Sequence, residues 1–326
     1  MLINYLTTHK KVSASNDSIS FPGFIKQLKI FPRAIYSRPS QKSYSNLRTT
    51  LPKLERPVKK SDQSSEIFQK ISASSWIVFN KESQSVLLGS KQYVKREIAS
   101  ISKIMTCVIC IEELIFYNKS FEELVEISFA AGSVQGTSAG LAYKDRVRVI
   151  DLIFALMLPS GNDAAVALSE FFGGLMPGSG TEKSRFITKM NEKAKSLGMK
   201  DTNFTNPHGM STSLNVSTAY DIAILCEYAL KVPIFTKIVS CPKYSCEIVV
   251  GKGVKKVVWK NTNKLLKKGF YGIKTGFTPA AGPCLSCAIG NLIIVLLGCN
   301  SRHDRWTDSL QLLEFIKKQV SENMNT

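Results

Sequence analysis

Apolar positions along this chain change from short strand-like runs to longer helical runs and then back to strands. Residues 76–80 and 85–88 are mainly apolar and are separated by a short polar segment, which predicts a β-hairpin. Helical spacing of apolar residues begins near Ser100 and continues through Leu114. A second apolar helical run, 151–158, ends at Pro159.

Beyond Pro159 the pattern predicts further helices and then mainly strands. The predicted helices are 164–172, capped by Asn162 or Asp163, 219–230 and 306–320, and the predicted strands are 254–259, 272–276, 284–289 and 292–299. This order predicts an α/β (α+β) fold, with an antiparallel sheet flanked by helices. An all-helical subdomain, at about residues 100–230, is inserted between sheet segments. Substrates commonly bind in the cleft between two such parts.

The first 70 residues have a different composition. They contain five prolines, and the first 50 residues have a single acidic side chain, Asp17. We expect residues 1–70 to be a disordered basic extension, with an organellar transit peptide as the alternative, and 71–322 to be the folded domain. No secretory signal is recognised, and no apolar run reaches the ~20 residues of a membrane span. An intracellular location, cytoplasmic or organellar, is therefore favoured.

Charge and cysteine content limit the possible partners. The formal net charge is +18, but the basic residues are dispersed and not interleaved with aromatic ones, so we expect no nucleic-acid partner. The eight cysteines include the pairs Cys107-x-x-Cys110 and Cys284-x-x-Cys287, which are too far apart for a zinc ribbon. We expect buried free thiols, typical of a reducing compartment, and neither a metal nor another cofactor. The oligomeric state stays open.

Two short motifs supply a candidate nucleophile and its partners. Ser100 and Lys103 lie three residues apart at a helix start, so both side chains share one face, and a desolvated lysine there can activate the serine. Ser160-Gly-Asn162 follows the second apolar helix. Ser160 can pass a proton to a leaving amine there, and Asn162 can hold a substrate amide. Together the motifs indicate acyl transfer.

A third motif supplies a site for a carboxylate. Lys274-Thr-Gly276 lies on a predicted strand that faces the cleft. Lys274 and Thr275 can bind a substrate carboxylate through charge-assisted hydrogen bonds, and Gly276 lets a substrate backbone lie close to the strand.

Each motif taken alone also has a structural interpretation. Ser240 and Lys243 repeat the Ser-x-x-Lys spacing without any expected catalytic role. A Ser-Gly-Asn turn is an ordinary helix cap, and a strand lysine is commonly a solvated edge residue. His208 is the one histidine near these segments, and we expect it to be structural because a Ser/Lys pair is already available.

The motifs and their surroundings resemble one enzyme family. Segments 98–106, 158–165, 202–209, 259–266 and 272–278 are similar to blocks of the serine-type D-alanyl-D-alanine carboxypeptidases of peptidase family S11, the low-molecular-mass penicillin-binding proteins. The resemblance covers about residues 71–320. It implies a β-lactamase/DD-peptidase-like fold and a serine hydrolase that removes a C-terminal D-alanine from peptidoglycan-like peptides through an acyl-enzyme.

The resemblance also implies a role for each matching residue. Ser100 attacks the carbonyl between two terminal D-alanines and Lys103 accepts its proton. Ser160 relays a proton to the leaving D-alanine, and Asn162 orients the peptide. The other substrate-binding positions are Lys274 and Thr275 for the terminal carboxylate, Gly276, and Phe277, whose amide joins that of Ser100 in the oxyanion hole. The implied partners are a peptide ending in D-Ala-D-Ala and β-lactams as covalent inhibitors.

Two alternatives stay open at this point. One is a β-lactamase-like hydrolase or an esterase/amidase on the same scaffold, although the Glu-x-x-Leu-Asn segment typical of class A β-lactamases does not follow Asn162. The other is a non-catalytic descendant that binds penicillin or peptides without turnover. The intact motifs favour the carboxypeptidase.

Overall fold

The computed structural model describes residues 67–322. Its strands are β1 (Ser75–Asn80), β2 (Ser85–Ser90), β3 (Arg96–Glu97), β4 (Leu124–Glu126), β5 (Arg146–Arg148), β6 (Val216–Ser217), β7 (Lys243–Val250), β8 (Gly253–Lys260), β9 (Tyr271–Thr278), β10 (Gly282–Ile289) and β11 (Leu292–Leu297). Its α-helices after β1 are α1 (Lys103–Phe116), α2 (Phe129–Gly132), α3 (Val149–Met157), α4 (Asn162–Leu175), α5 (Glu182–Ser196), α6 (Ala219–Leu230), α7 (Pro233–Ser240) and α8 (Asp304–Glu322).

The main sheet is antiparallel, with the strand order β2-β1-β11-β10-β9, and its central strands are buried on both faces. Side chains alternate between the two faces of a strand, so alternate residues of β1 pack into two different cores. Ile77 and Phe79 pack into the larger core with the helices of the inserted segment, whereas Trp76 and Val78 pack with α8. This arrangement explains why β1 and β11 are continuous apolar runs in the sequence.

The insertion predicted at about residues 100–230 is mainly helical but not all-helical, which corrects that part of the sequence prediction. It contains the short strands β4, β5 and β6, and β4 and β5 join the hairpin β7–β8 in a four-stranded sheet of order β4-β5-β7-β8. Strands of two or three residues are too short for alternation to show in the sequence. Only the central residues Val125 and Val147 of β4 and β5 are fully buried.

The predicted hairpin, the late strands and most predicted helices are observed, although α2, α7 and β7 were not predicted and three further details differ. Helix α1 begins at Lys103, after a 3-10 turn over Ala99–Ser102. Helix α4 begins at Asn162 and has Gly161 as its N-cap, so the predicted side-chain cap from Asn162 or Asp163 is wrong. Helix α5 was not predicted because only Phe186, Met190 and Ala194 are buried along its charged sequence.

All eight cysteines are free and buried, as predicted. Burial raises the pKa of the Cys107 and Cys110 thiols on α1. None of the helices within residues 67–322 combines the length and hydropathy needed to cross a membrane. The predicted disordered extension lies outside the described residues, except for 67–70, which are helical and include the buried side chain of Ile67.

Candidate active site

Ser100 lies in the 3-10 turn Ala99–Ser102, here called the nucleophile turn, just before α1. The turn is held between two glycines. A Cβ on Gly209 would lie 1.9 Å from the carbonyl oxygen of Ala99, and a Cβ on Gly276 would lie 3.2 Å from the backbone nitrogen of Ser100. Ala99 itself adopts a left-handed φ of 49°. The surroundings therefore fix a strained backbone at the residue before the candidate nucleophile.

Lys103, on the first turn of α1, is fully buried and has three polar neighbours. Its Nζ lies 2.9 Å from Ser100 Oγ, 2.7 Å from Asn162 Oδ1 and 2.7 Å from the carbonyl oxygen of His208. Burial, and then the positive charge of Lys274, hold the pKa of Lys103 well below its ordinary value. The charged form of Lys103 is therefore disfavoured in this environment.

The three neighbours of Lys103 also orient that amine. A neutral amine has two N–H bonds and one lone pair. Asn162 Oδ1 and the His208 carbonyl can only accept, so they take the two N–H bonds, and the lone pair is left for the hydroxyl proton of Ser100. This geometry is the one that a general base needs in order to deprotonate the serine.

Ser160 lies in the turn between α3 and α4 and has two unusual features. Its φ is 68°, a left-handed value that side chains rarely adopt, and its Oγ is buried without a hydrogen-bond partner among the described residues. The Ser160 carbonyl accepts a hydrogen bond of 2.6 Å from Thr137 Oγ1. Strain together with an unpaired buried hydroxyl is typical of functional sites.

Asn162 and Asp163, at the start of α4, hold the segment 135–141 against the site. Asn162 Nδ2 donates to the carbonyl of Gln135 at 2.7 Å, so both ends of this amide contact the protein. The buried carboxylate of Asp163 accepts hydrogen bonds from the backbone nitrogens of Ala139 and Leu141 and from Ser138 Oγ. The sequence pattern indicated Asp163 only as a possible helix cap and gave no sign of this contact with 135–141.

Lys274 and Thr275 lie on β9, the edge strand of the main sheet. Lys274 is 1% exposed, and its Nζ donates to the carbonyl of Thr275 at 3.0 Å. Burial, and then the charge of Arg305, lower the pKa of Lys274 to about 7. Thr275 Oγ1 lies 2.8 Å from Thr262 Oγ1. Lys274 is therefore a buried, desolvated side chain and not a solvated edge lysine.

The two residues that follow have different surroundings. Gly276 lies against the nucleophile turn, and its carbonyl accepts a hydrogen bond of 3.2 Å from Arg305 Nη1. Phe277 is 43% exposed, and the guanidinium of Arg302 lies 4.2 Å from its ring centre. Arg302 and Arg305 belong to the segment that begins α8, and no motif in the sequence pointed to either of them.

The backbone carbonyl of His208 contacts Lys103, whereas the imidazole ring makes only a local contact with the backbone. Its Nδ1 accepts a hydrogen bond of 3.1 Å from the Met210 backbone nitrogen, and burial, followed by the charge of Lys103, lowers its pKa to about 3. The contact of its carbonyl with Lys103 was not predicted, because every residue carries a carbonyl and the sequence gives no signal for this use.

Ser100, Lys103 and Asn162 thus form one hydrogen-bonded group, with Gly276 packed on the turn and Lys274 near enough for its charge to act on Lys103. Ser160 is two residues before Asn162 in the sequence, and Thr275 and Phe277 flank Gly276. The hydrogen bonds within the group do not involve the side chains of these three residues. Within residues 67–322, no group of three or more His, Cys, Asp or Glu side chains is arranged to hold a metal ion.

Residues 59–298 match the family model described as D-alanyl-D-alanine carboxypeptidase. The chain belongs to this family. It is 32% identical over 254 residues to the D-alanyl-D-alanine carboxypeptidase DacF of Bacillus subtilis, a match that covers 76% of this chain and 62% of DacF. It is 30% identical over 257 residues to the D-alanyl-D-alanine carboxypeptidase of a Streptomyces species, covering 75% of this chain and 87% of that enzyme.

Solved structures of the carboxypeptidase family and its relatives have the same fold. The Streptomyces K15 DD-transpeptidase superposes with a TM-score of 0.68 at 30% identity, covering 75% of this chain and 97% of that one. DacD of Francisella tularensis superposes with a TM-score of 0.68 at 26% identity, covering 83% of this chain and 74% of that one. The predicted S11 family and the predicted DD-peptidase-like fold class are therefore confirmed.

Proposed function

We propose that this protein is a serine-type D-Ala-D-Ala carboxypeptidase that acts through an acyl-enzyme on Ser100. The observation that supports this most directly is the contact of 2.9 Å between Ser100 Oγ and the buried amine of Lys103. A lysine whose pKa is lowered by burial is a competent base near neutral pH. The proposed catalytic domain is 71–322.

In the proposed acylation step, Lys103 Nζ takes the hydroxyl proton of Ser100. Ser100 Oγ then forms a bond to the carbonyl carbon of the penultimate D-alanine, and the carbonyl becomes an oxyanion. The backbone amides of Ser100 and Phe277 are proposed to donate to this oxyanion. Each such donor typically contributes about 3 kcal/mol to transition-state stabilisation.

Collapse of the tetrahedral intermediate breaks the peptide bond and needs a proton on the leaving nitrogen. Ser160 is the proposed relay between Lys103 and that nitrogen, and its unpartnered hydroxyl is available for this role. Water then attacks the ester with Lys103 again as base, which releases the shortened peptide and restores Ser100. Asn162 positions Lys103 through its Oδ1 atom, and its predicted contact with the substrate amide stays a prediction.

The specificity for a free C-terminus is assigned to β9. Lys274 in its charged form and Thr275 Oγ1 are proposed to bind the terminal carboxylate, since a desolvated ammonium interacts strongly with an anion. Gly276 leaves room for the substrate backbone beside the strand. A β-lactam, which carries a carboxylate next to a strained amide, is proposed to acylate Ser100 in the same way and to inhibit the enzyme.

The test measures D-alanine released from an acyl-D-Ala-D-Ala peptide by the full chain, together with covalent labelling by a fluorescent penicillin. We expect turnover and labelling by the wild-type protein, and neither by Ser100→Ala. Ser240→Ala is the matched control, because Ser240 and Lys243 have the same spacing as Ser100 and Lys103, and it should behave like wild type.

Three outcomes would contradict the proposal. Labelling without peptide turnover would indicate a binding descendant, and rapid hydrolysis of the penicillin without peptide turnover would indicate a β-lactamase-like enzyme. Turnover that survives Ser100→Ala would exclude Ser100 as the nucleophile.

A further inference from the structure

One segment beyond the catalytic motifs concentrates positive charge, namely the hairpin β7–β8 and the 3-10 turn that follows it. Residues 243–268, here called the lysine hairpin, contain eight lysines and one acidic residue, Glu247. All eight lysines are exposed, and none forms an ion pair with another described residue. They are Lys243, Lys252, Lys255, Lys256, Lys260, Lys264, Lys267 and Lys268.

This charge is unevenly placed in the molecule. Residues 67–322 contain 31 Lys and Arg against 21 Asp and Glu, so the lysine hairpin accounts for most of the excess positive charge of the described part. Elsewhere many lysines are paired, as Lys189 is with Glu113 and Lys193 with Glu112. A local excess without counter-charges creates a field that attracts anions and anionic surfaces.

The lysine hairpin also exposes apolar side chains between its lysines. In the antiparallel register Glu247 pairs with Lys256 and Ser245 with Val258, so alternate residues of β8 share the outer face of the sheet. This face carries Val254, Lys256, Val258 and Lys260 in turn. Val254 is 65% exposed and Val258 is 45% exposed. The outer face is therefore both cationic and aliphatic.

Protection of a sheet edge and binding of nucleic acid each account for only part of this composition. Lysines on an edge strand such as β8 discourage pairing with another sheet, but exposed valines beside them have the opposite effect. A nucleic-acid surface usually adds arginine for phosphate and base contacts and aromatic side chains for stacking. The lysine hairpin has no arginine, and its aromatic residues, Tyr244 and Trp259, are buried.

We propose that the lysine hairpin docks this protein on an anionic membrane surface, with its lysines on the lipid headgroups and Val254 and Val258 in the interfacial layer. Clusters of four to eight basic residues bind anionic lipids, and adjacent aliphatic side chains add hydrophobic contact at the interface. The protein lies on the bilayer in this arrangement and does not span it.

Two contacts connect the lysine hairpin to the active site. Trp259 Nε1 donates to the carbonyl of Ala139 at 2.8 Å, in the segment that Asp163 holds. Thr262, two residues after β8, contacts Thr275 on β9. Docking through the lysine hairpin would therefore place a segment that contacts both sides of the candidate active site next to the lipid surface.

The test is sedimentation of the full chain with vesicles of phosphatidylcholine alone or of phosphatidylcholine and phosphatidylglycerol at two to one. We expect binding only to the anionic vesicles, and a loss of affinity of about tenfold or more in Lys243→Gln/Lys252→Gln/Lys256→Gln. The matched control is Lys195→Gln/Lys200→Gln/Lys317→Gln, which removes the same charge from exposed lysines elsewhere. Residues 1–66 are present in every variant, so their contribution is the same in each.

A second pair of variants separates a membrane from a soluble polyanion. Val254→Thr/Val258→Thr keeps the charge and the β-branched shape, and we expect it to weaken vesicle binding several-fold without changing binding to heparin. Equal vesicle binding by the two triple-lysine variants would overturn the proposal. An unchanged affinity of the valine variant for vesicles would overturn it as well and would favour an anionic polymer.

Discussion

Gly276 on β9 lies directly against the backbone nitrogen of Ser100. A Cβ at this position would come within 3.2 Å of that nitrogen and within 3.0 Å of the Ile98 carbonyl oxygen. The strand proposed to bind the substrate carboxylate and the turn that carries the proposed nucleophile are thus in contact through a residue without a side chain. Strand β9 and the nucleophile turn are held at a fixed distance because the backbone of Gly276 packs directly against the turn.

Gly276→Ala should therefore disturb the catalysis more than the fold. We expect a loss of about 1–3 kcal/mol in the free energy of unfolding, because the added methyl group overpacks the contact. Displacement of Ser100 should slow acylation by penicillin about 100-fold. Gly253→Ala is the control, since its Cβ would meet nothing closer than 3.9 Å. Equal acylation rates in the two variants would contradict the contact.

Two substitutions of Ser160 separate the effect of its backbone strain on stability from the effect of its hydroxyl on turnover. Both Ser160→Ala and Ser160→Gly remove the hydroxyl, and we expect each to lower turnover by about 10²–10⁴ because the proton relay is lost. Only the glycine variant tolerates the φ of 68° without strain, so it should unfold at a higher temperature than the alanine variant. Thermal melts and turnover of both proteins check this. A large loss of stability in Ser160→Ala would mean that Oγ has a partner in solution.

Asp163 is expected to act as a positioning residue for the segment 135–141. Asp163→Asn retains only one acceptor oxygen for the hydrogen bonds from Ala139, Leu141 and Ser138. We expect about 2–3 kcal/mol of destabilisation and a lower kcat/KM. Asp145→Asn is the comparison, because Asp145 accepts from the Ala142 backbone nitrogen near the same segment but does not adjoin Asn162. If both variants lose kcat/KM equally, Asp163 has no special role.

The pH profile should be bell-shaped, because the two buried lysines are needed in opposite states. Lys103 must be neutral, so kcat/KM rises as pH increases through its lowered pKa. Lys274 must be charged, so kcat/KM falls as pH increases through its pKa of about 7. Lys274→Met keeps the burial that mainly lowers the pKa of Lys103 but removes the positive charge that lowers it further, so the rising limb of penicillin acylation should move to higher pH. A rising limb that does not move would contradict the coupling.

Lys274→Met should also stabilise the fold while it weakens peptide turnover, because the cation proposed for the terminal carboxylate is lost. The folded pKa of Lys274, about 7, lies below its ordinary value of 10.5, so protonation disfavours the folded state. This destabilisation is complete below pH 7, declines between pH 7 and 10.5, and is absent above. At pH 6 we expect the variant to gain on the order of 2 kcal/mol in denaturant unfolding, and the gain should shrink toward pH 10. A variant that is less stable at pH 6 would contradict the cost of burying this charge.

The sequence was sufficient for the parts of the fold that have a clear period. β1 and β11 are long apolar runs, and α3 and α8 have helical periodicity, so their positions were predictable. The Ser-x-x-Lys spacing is also visible in the sequence, but it occurs twice. Ser240 and Lys243 end a helix and begin a strand, with Lys243 exposed, and only the folded chain distinguishes them from Ser100 and Lys103.

Other parts of the site depend on backbone atoms or on contacts between distant segments. The His208 carbonyl that holds Lys103 and the clash that excludes a side chain at Gly209 have no residue signature. Arg305 reaches Gly276 from a helix that begins 28 residues later in the chain. Such contacts follow from the tertiary arrangement, which local patterns do not encode.

The eight buried cysteines can report local unfolding of the structure around them. With no disulfide among them, each sulfhydryl reacts with an alkylating reagent only when the surrounding structure opens. Cys107 and Cys110 lie beside the nucleophile turn on α1, whereas Cys287 and Cys299 lie in the core beneath α8. The order in which mass spectrometry finds them modified therefore records which of the two cores loosens first.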